Sequence, residues 1–87
     1  MPKFEKDFTV LNKQGLHARP AALFVQIAAK YDSNITVTKD QESVNGKSIM
    51  GILMLGIQQN SRLIIKADGP DAEKALNELA EFLQNGD

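Results

Sequence analysis

What most constrains this chain is how often its apolar residues change period. Stretches that alternate with period two give way repeatedly to stretches with helical spacing, all within 87 residues. A chain of that length makes one domain, covering residues 1–87, and has no room for a second. It buries only a limited core, so nearly every apolar residue in a periodic segment is expected inside.

Taken in order, residues 4 to 11 alternate loosely, with Phe4, Phe8 and Val10 on one face of a half-buried strand. The turn Asn12-Lys13-Gln14-Gly15 follows. A helix is predicted from about Ala18 to Lys30, with Leu23, Phe24, Ile27, Ala28 and Tyr31 on its packed face. The Asp32-Ser33-Asn34 cluster ends it. The β-branched run from Ile35 to Lys39 is a strong strand signal, and Asp40-Gln41 turns it into a short return strand at 42 to 44. Ser48 then caps a short helix over 49 to 55, and Gly56 stops it. That helix is apolar almost all round, so either both of its faces are buried or one is a docking patch.

Asn60-Ser61 leads into a strand over 62 to 68 with Leu63, Ile65 and Ala67 on one face. Gly69-Pro70-Asp71 opens the last helix, with Asp71 and Glu73 as its acidic first turn. Ala72, Ala75, Leu76, Leu79, Ala80 and Leu83 form its apolar stripe to about Gln84, and Asn85-Gly86 closes it. The order is β-α-β-β-α-β-α, an α+β chain with an antiparallel sheet and its helices on one face.

The chemistry gathers at Gly15-Leu16-His17-Ala18-Arg19-Pro20-Ala21. Pro20 has φ preset near the helical value and favours a first turn, so His17 is expected at the lip of a helix N-terminus. That end offers N–H groups with no intrahelical partner and the positive pole of the macrodipole, a site for an anion such as phosphate. The Arg19 guanidinium matches phosphate oxygens, and a neutral imidazole is a nucleophile. Position alone does not settle the matter, because a lone histidine is more often a cap or a solvated residue than a catalytic one. With no second histidine for a relay, the set describes a covalent phosphoryl acceptor better than a hydrolase.

Composition removes other classes. A formal charge of -1 gives no basic face for nucleic acid. A zinc site needs three or four His, Cys or carboxylate ligands, and there is one histidine and no cysteine, so neither a metal nor another cofactor is expected. The absence of cysteine fits a reducing interior. No signal-peptide pattern and no apolar run of membrane-spanning length is found, so the expected location is cytoplasmic, without membrane insertion.

The string from Gly15 to Ala21 closely resembles the active-site signature of HPr, the histidine-containing phosphocarrier family of the bacterial phosphoenolpyruvate:sugar phosphotransferase system. Lys47-Ser48-Ile49-Met50-Gly51 followed by Leu55-Gly56 resembles the same family's second signature, which carries a regulatory serine. The resemblance implies strand order 1-4-2-3, where the pattern of elements alone leaves other α+β sheets open.

It also implies roles. His17 matches the phosphorylated histidine, reacting through Nδ1. Arg19 matches the arginine beside the phosphate, and the amides of Ala18 and Arg19 hold the phosphate. Ser48 matches the serine modified by a dedicated kinase. Leu16, Lys47, Ile49, Met50 and Leu53 fall on the docking surface. Where several family members carry lysines, Gln26, Ala29 and Gly51 stand here, leaving Lys13, Arg19 and Lys47 to steer an acidic partner.

The implied partners are enzyme I as donor and IIA-type components of sugar permeases as acceptors. A serine kinase/phosphorylase and a transcriptional regulator complete the set, and the chain acts as a monomeric carrier, not an enzyme in its own right. Two rivals stand beside this reading. One is a regulatory paralogue of the nitrogen-branch system, distinguished by which IIA-type protein accepts the group. The other is an α+β interaction domain with an incidental histidine, which no donor would label.

Overall fold

The computed structural model describes residues 2–11, 13 and 15–84, and among them four strands and three helices follow one another as expected. They are β1 (Lys3–Thr9), α1 (Ala18–Ala29), β2 (Asn34–Lys39), β3 (Glu42–Asn45), α2 (Ile49–Met54), β4 (Arg62–Asp68) and α3 (Ala72–Gln84). The strands form one sheet in the order β1-β4-β2-β3, and every neighbouring pair is antiparallel.

The register puts the apolar positions of three strands on one face. Phe8 pairs with Leu63, Val37 with Ile65, and Ile35 with Ala67, and all six are buried. On β4 the alternation is complete, with Arg62, Ile64 and Lys66 facing solvent between the buried positions. Helices cover the buried face. Phe24 of α1, Ile52 of α2, and Leu76, Leu79 and Leu83 of α3 complete the core. Phe24 and Phe82 meet edge-to-face, with centroids 6.4 Å apart.

Several expectations shift. The first strand stops at Thr9 instead of running to Leu11. Val10 stays buried, but its N–H bonds to Ser61 O at 2.9 Å and its carbonyl accepts from Asn60 at 2.8 Å, so it belongs to the following loop contact. Phe4 has the right face but lies near the end of the sheet and is 38% exposed. Leu23 is not on the packed face of α1: Pro20, Ala21, Phe24 and Ala28 are buried there, and Leu23 is 41% exposed. The helix ends at Ala29 with Lys30 as its C-cap, α2 ends at Met54 with Leu55 as its C-cap, and β3 runs one residue further, to Asn45. The expected close at Asn85-Gly86 lies outside the described residues.

Asp71 does more than precede a helix. Its carboxylate accepts from the backbone N–H of Asp32 at 2.9 Å, from that of Ser33 at 3.0 Å, and from the buried Ser33 hydroxyl at 2.5 Å. The start of α3 is thereby tied to the segment that leaves α1. These bonds, the Ser33 hydroxyl foremost, hold the Asp71 carboxyl below its usual range. A carboxyl depressed in the folded state contributes stability that is present above its unfolded pKa and lost as pH falls through the folded value. Asp71→Asn is therefore expected to melt below wild type at neutral pH. The gap should narrow as the pH drops below about 4, where the unfolded-state carboxyl protonates. A gap of constant size in melting curves taken across that range would contradict this role.

A second tie joins the same helices. Tyr31 donates its hydroxyl to Glu78, and Lys30 Nζ lies 2.6 Å from the other carboxylate oxygen. The Tyr31 hydroxyl is pushed up to about 12, first by that hydrogen bond and then by burial and by the charge of Glu78. It remains a donor throughout the ordinary pH range.

Candidate functional site

The site begins where the loop after β1 is pinned. Gly15 has φ +61, and a Cβ there would collide with the Ile57 carbonyl oxygen and stand 2.6 Å from Gln58 Cα. Only glycine fits both the dihedral and the gap. The next N–H, of Leu16, bonds to the Ile57 carbonyl at 3.0 Å, and the Leu16 side chain is 2% exposed in the core. Leu16 therefore offers no side-chain surface to a partner, contrary to its expected part in docking. It anchors the segment that presents the histidine.

His17 follows as the N-cap of α1, in extended conformation with φ -81 and ψ -165. Its carbonyl accepts from the Ala21 N–H at 2.7 Å, so the backbone caps normally. Its side chain makes no capping hydrogen bond and is exposed. A serine or aspartate here would turn inward onto the helix amides. The imidazole leaves them open. Among the described residues no group accepts from the N–H of Ala18 or Arg19, and Pro20 has none to offer. Two amides, the positive end of a 12-residue helix and an exposed imidazole thus share one corner.

Arg19 is exposed and, among the described residues, makes no ion pair, so its guanidinium is available to an anion. Lys13 is exposed as well. Lys47 is not free in the same way: its Nζ donates to the Tyr31 carbonyl at 2.6 Å and the residue is half-buried. The tie to the segment after α1 replaces part of its expected role in steering.

Ser48 caps α2 as expected, its hydroxyl accepting from the Gly51 N–H at 3.1 Å. At the other end Lys39 Nζ reaches the carbonyls of Leu55 and Gly56 at 3.3 and 3.4 Å, where a cation complements the helix C-terminus. The two alternatives for this apolar helix resolve into a division of faces. Ile52 is fully buried, while Ile49, Met50 and Leu53 are 40%, 64% and 38% exposed. Met54 was not among the expected docking residues, yet at 78% it is the most open large apolar side chain described. Its spacing from Met50, i to i+4, is the sequence signal that places both on one side. The helix that carries this exposed face packs against α1, the helix that His17 caps. No group of three or more His, Cys, Asp or Glu side chains able to hold a metal occurs among the described residues. Among the described residues no helix is long and apolar enough to cross a membrane.

Comparison with known proteins places these features in a family. Residues 4–85 match the family model described as "PTS HPr component phosphorylation site". The chain is 44% identical over 80 residues to phosphocarrier protein HPr of Treponema pallidum (strain Nichols), covering 92% of this chain and 91% of that one. Among solved structures it is similar to HPr from Bacillus anthracis str. Ames, with a TM-score of 0.92 and 48% identity over 94% of this chain and 98% of that one. HPr-C-His from Thermoanaerobacter tengcongensis gives a TM-score of 0.91 at 48% identity, covering 93% of this chain and 91% of that one.

Proposed function

The chain belongs to the HPr family of phosphocarriers, and on that footing we propose that His17 accepts a phosphoryl group from phospho-enzyme I and passes it to IIA-type components of sugar permeases. One observation carries the reading. The His17 imidazole stands exposed at an N-cap whose amides it leaves unoccupied. A ring nitrogen attacks phosphorus as the bond to the donor breaks, and the reverse displacement delivers the group onward. The Ala18 and Arg19 amides and the Arg19 guanidinium receive the phosphoryl oxygens. Phosphoryl transfer depends mostly on such positioning and charge stabilisation.

The apolar face of Ile49, Met50, Leu53 and Met54 suits contacts made and broken in turn, because a small patch gives a short-lived complex. Enzyme I and the IIA-type proteins occupy it alternately, and the protein works as a monomer in the cytoplasm. The test is onward transfer. Phosphorylated protein, separated from enzyme I, should lose its label to a sugar-permease IIA protein. Retention of the label with that acceptor, and transfer to a nitrogen-branch one, would move the output to regulation.

Arg19 positions phosphate and does not maintain the fold. Arg19→Ala is expected to slow transfer in both directions about tenfold or more, the scale of one lost charge-assisted contact, while leaving the melting midpoint in place. Transfer at the wild-type rate would make it merely a solvated first-turn residue.

Ser48 is a regulatory phosphorylation site, used by a serine kinase/phosphorylase and read by a transcriptional regulator. A phosphate adds about -1.5 to -2 charge beside Ile49, Met50 and Leu53, where a partner must dock. The positive end of α2 accommodates that charge, so the fold is left intact. Ser48→Asp should slow enzyme I-dependent labelling without lowering the melting midpoint. A variant labelled as fast as wild type would contradict the switch, and one melting well below it would reduce Ser48 to a cap worth about 1 kcal/mol.

A further inference from the structure

We propose that Met50 and Met54 form an oxidation-sensitive contact on α2, at which a hydroperoxide converts thioether to sulfoxide and weakens partner docking. The inference rests on the docking role given above to this face. The sequence holds three methionines, Met1, Met50 and Met54, and no cysteine. Two of the three thus stand on one six-residue helix, one turn apart on the same side, at 64% and 78% exposure. An oxidant meeting this protein finds no thiol, and these two open thioethers are the next groups on the oxidation ladder.

The chemistry balances simply. The sulfur attacks the outer oxygen of the hydroperoxide, the O–O bond breaks, an S–O bond forms, and the peroxide leaves as an alcohol, or as water when it is hydrogen peroxide. Sulfur loses two electrons and the peroxide gains them. A flexible apolar side chain becomes polar and chiral. On the free protein the change is cheap, since both residues face solvent. In a complex the sulfoxide oxygen must be buried against a surface matched to a thioether, and burying a polar atom without a partner is unfavourable. Ile52, buried in the core, holds α2 in place whichever state the methionines are in. Docking therefore responds to oxidation and folding does not.

The experiment treats purified protein with hydrogen peroxide, removes the peroxide, and measures enzyme I-dependent labelling of His17 at limiting enzyme I. Wild type and the double variant Met50→Leu/Met54→Leu are compared by the ratio of treated to untreated rate, so that any change in basal rate cancels. Peptide mapping should place sulfoxide at both positions, formed at rates approaching that of free methionine. Treated wild type is expected to label about tenfold more slowly, the effect of burying an unsatisfied polar atom. It should melt with the untreated protein and recover its rate with a methionine sulfoxide reductase. The double variant, which keeps Met1, should be indifferent to peroxide.

Three results would overturn the proposal: sulfoxide at both positions with an undiminished rate, equal slowing of the double variant, or a treated protein that has unfolded. Failure of the untreated protein to label at all would instead remove the carrier reading, and the docking consequence with it.

Discussion

His17→Ala is expected to take up no acid-labile phosphate from enzyme I and phosphoenolpyruvate, with a loss as complete as the assay can read. The chain has a single histidine, and nothing else at the helix corner is a nucleophile of the same kind. Arg19 is a permanent cation and the two amides are donors only. The fold should not register the change. The side chain makes no capping hydrogen bond, and the capping carbonyl at residue 17 belongs to the backbone. The variant should therefore stay within about 0.5 kcal/mol of wild-type stability, as exposed substitutions without special contacts do. A labelled His17→Ala protein would mean that the acceptor lies elsewhere. An unlabelled one that has lost its cooperative melt would show only that the side chain supports the structure.

Gly15→Ala is expected to have the largest effect on stability of any single methyl added near the site. Alanine at φ +61 costs about 1–2 kcal/mol for the left-handed backbone alone. The added Cβ also collides with the Ile57 carbonyl and lies 2.6 Å from Gln58 Cα. Both are backbone neighbours that cannot swing aside as a flexible side chain would. Moving them apart stretches the Leu16 N–H bond to the Ile57 carbonyl and pulls the Leu16 side chain against the core. A total of about 2–4 kcal/mol is expected, a fall in melting midpoint of roughly 10–20 °C for a domain of this size. Transfer should slow as well, even at temperatures where the variant is folded, because Leu16 is the anchor that precedes His17. A variant melting with wild type would show that the loop yields freely and that the histidine is not positioned by this contact.

The legible parts of the fold were those governed by local pattern. The strand at Arg62–Asp68 and the stripe of Ala72–Gln84 emerged in full, because alternation and 3.6-residue spacing are written into neighbouring residues. His17 could be placed at a helix start because Pro20 lies close behind it. The strand order rested on the family resemblance, and the sheet has that order.

The errors fell where a contact from a distant part of the chain decides the outcome. Leu16 belongs to the histidine signature and reads as surface, but Ile57 draws its backbone inward. Lys47 reads as a free cation until the Tyr31 carbonyl is found beside its amine. Asp71 reads as a helix-dipole carboxylate, while its partners are the amides of Asp32 and Ser33. Leu23 shares an apolar run with Phe24, yet only one of the two lies at the centre of the packed face. The exposure of Met54 depends on which side of α2 the core claims, and in a helix apolar all round only its i to i+4 spacing from Met50 marks that side.

The most direct measurement is of the phosphoryl group itself. Protein is incubated with enzyme I and phosphoenolpyruvate, weighed intact, and mapped by fragmentation under conditions that preserve phosphoramidates. The expected result is a single added phosphoryl group on His17, stable in alkali, lost in mild acid, and transferable to an IIA-type protein. An unmodified mass, an acid-stable phosphate, or a group mapped to any residue other than His17 would contradict the assignment of this chain's imidazole as the carrier.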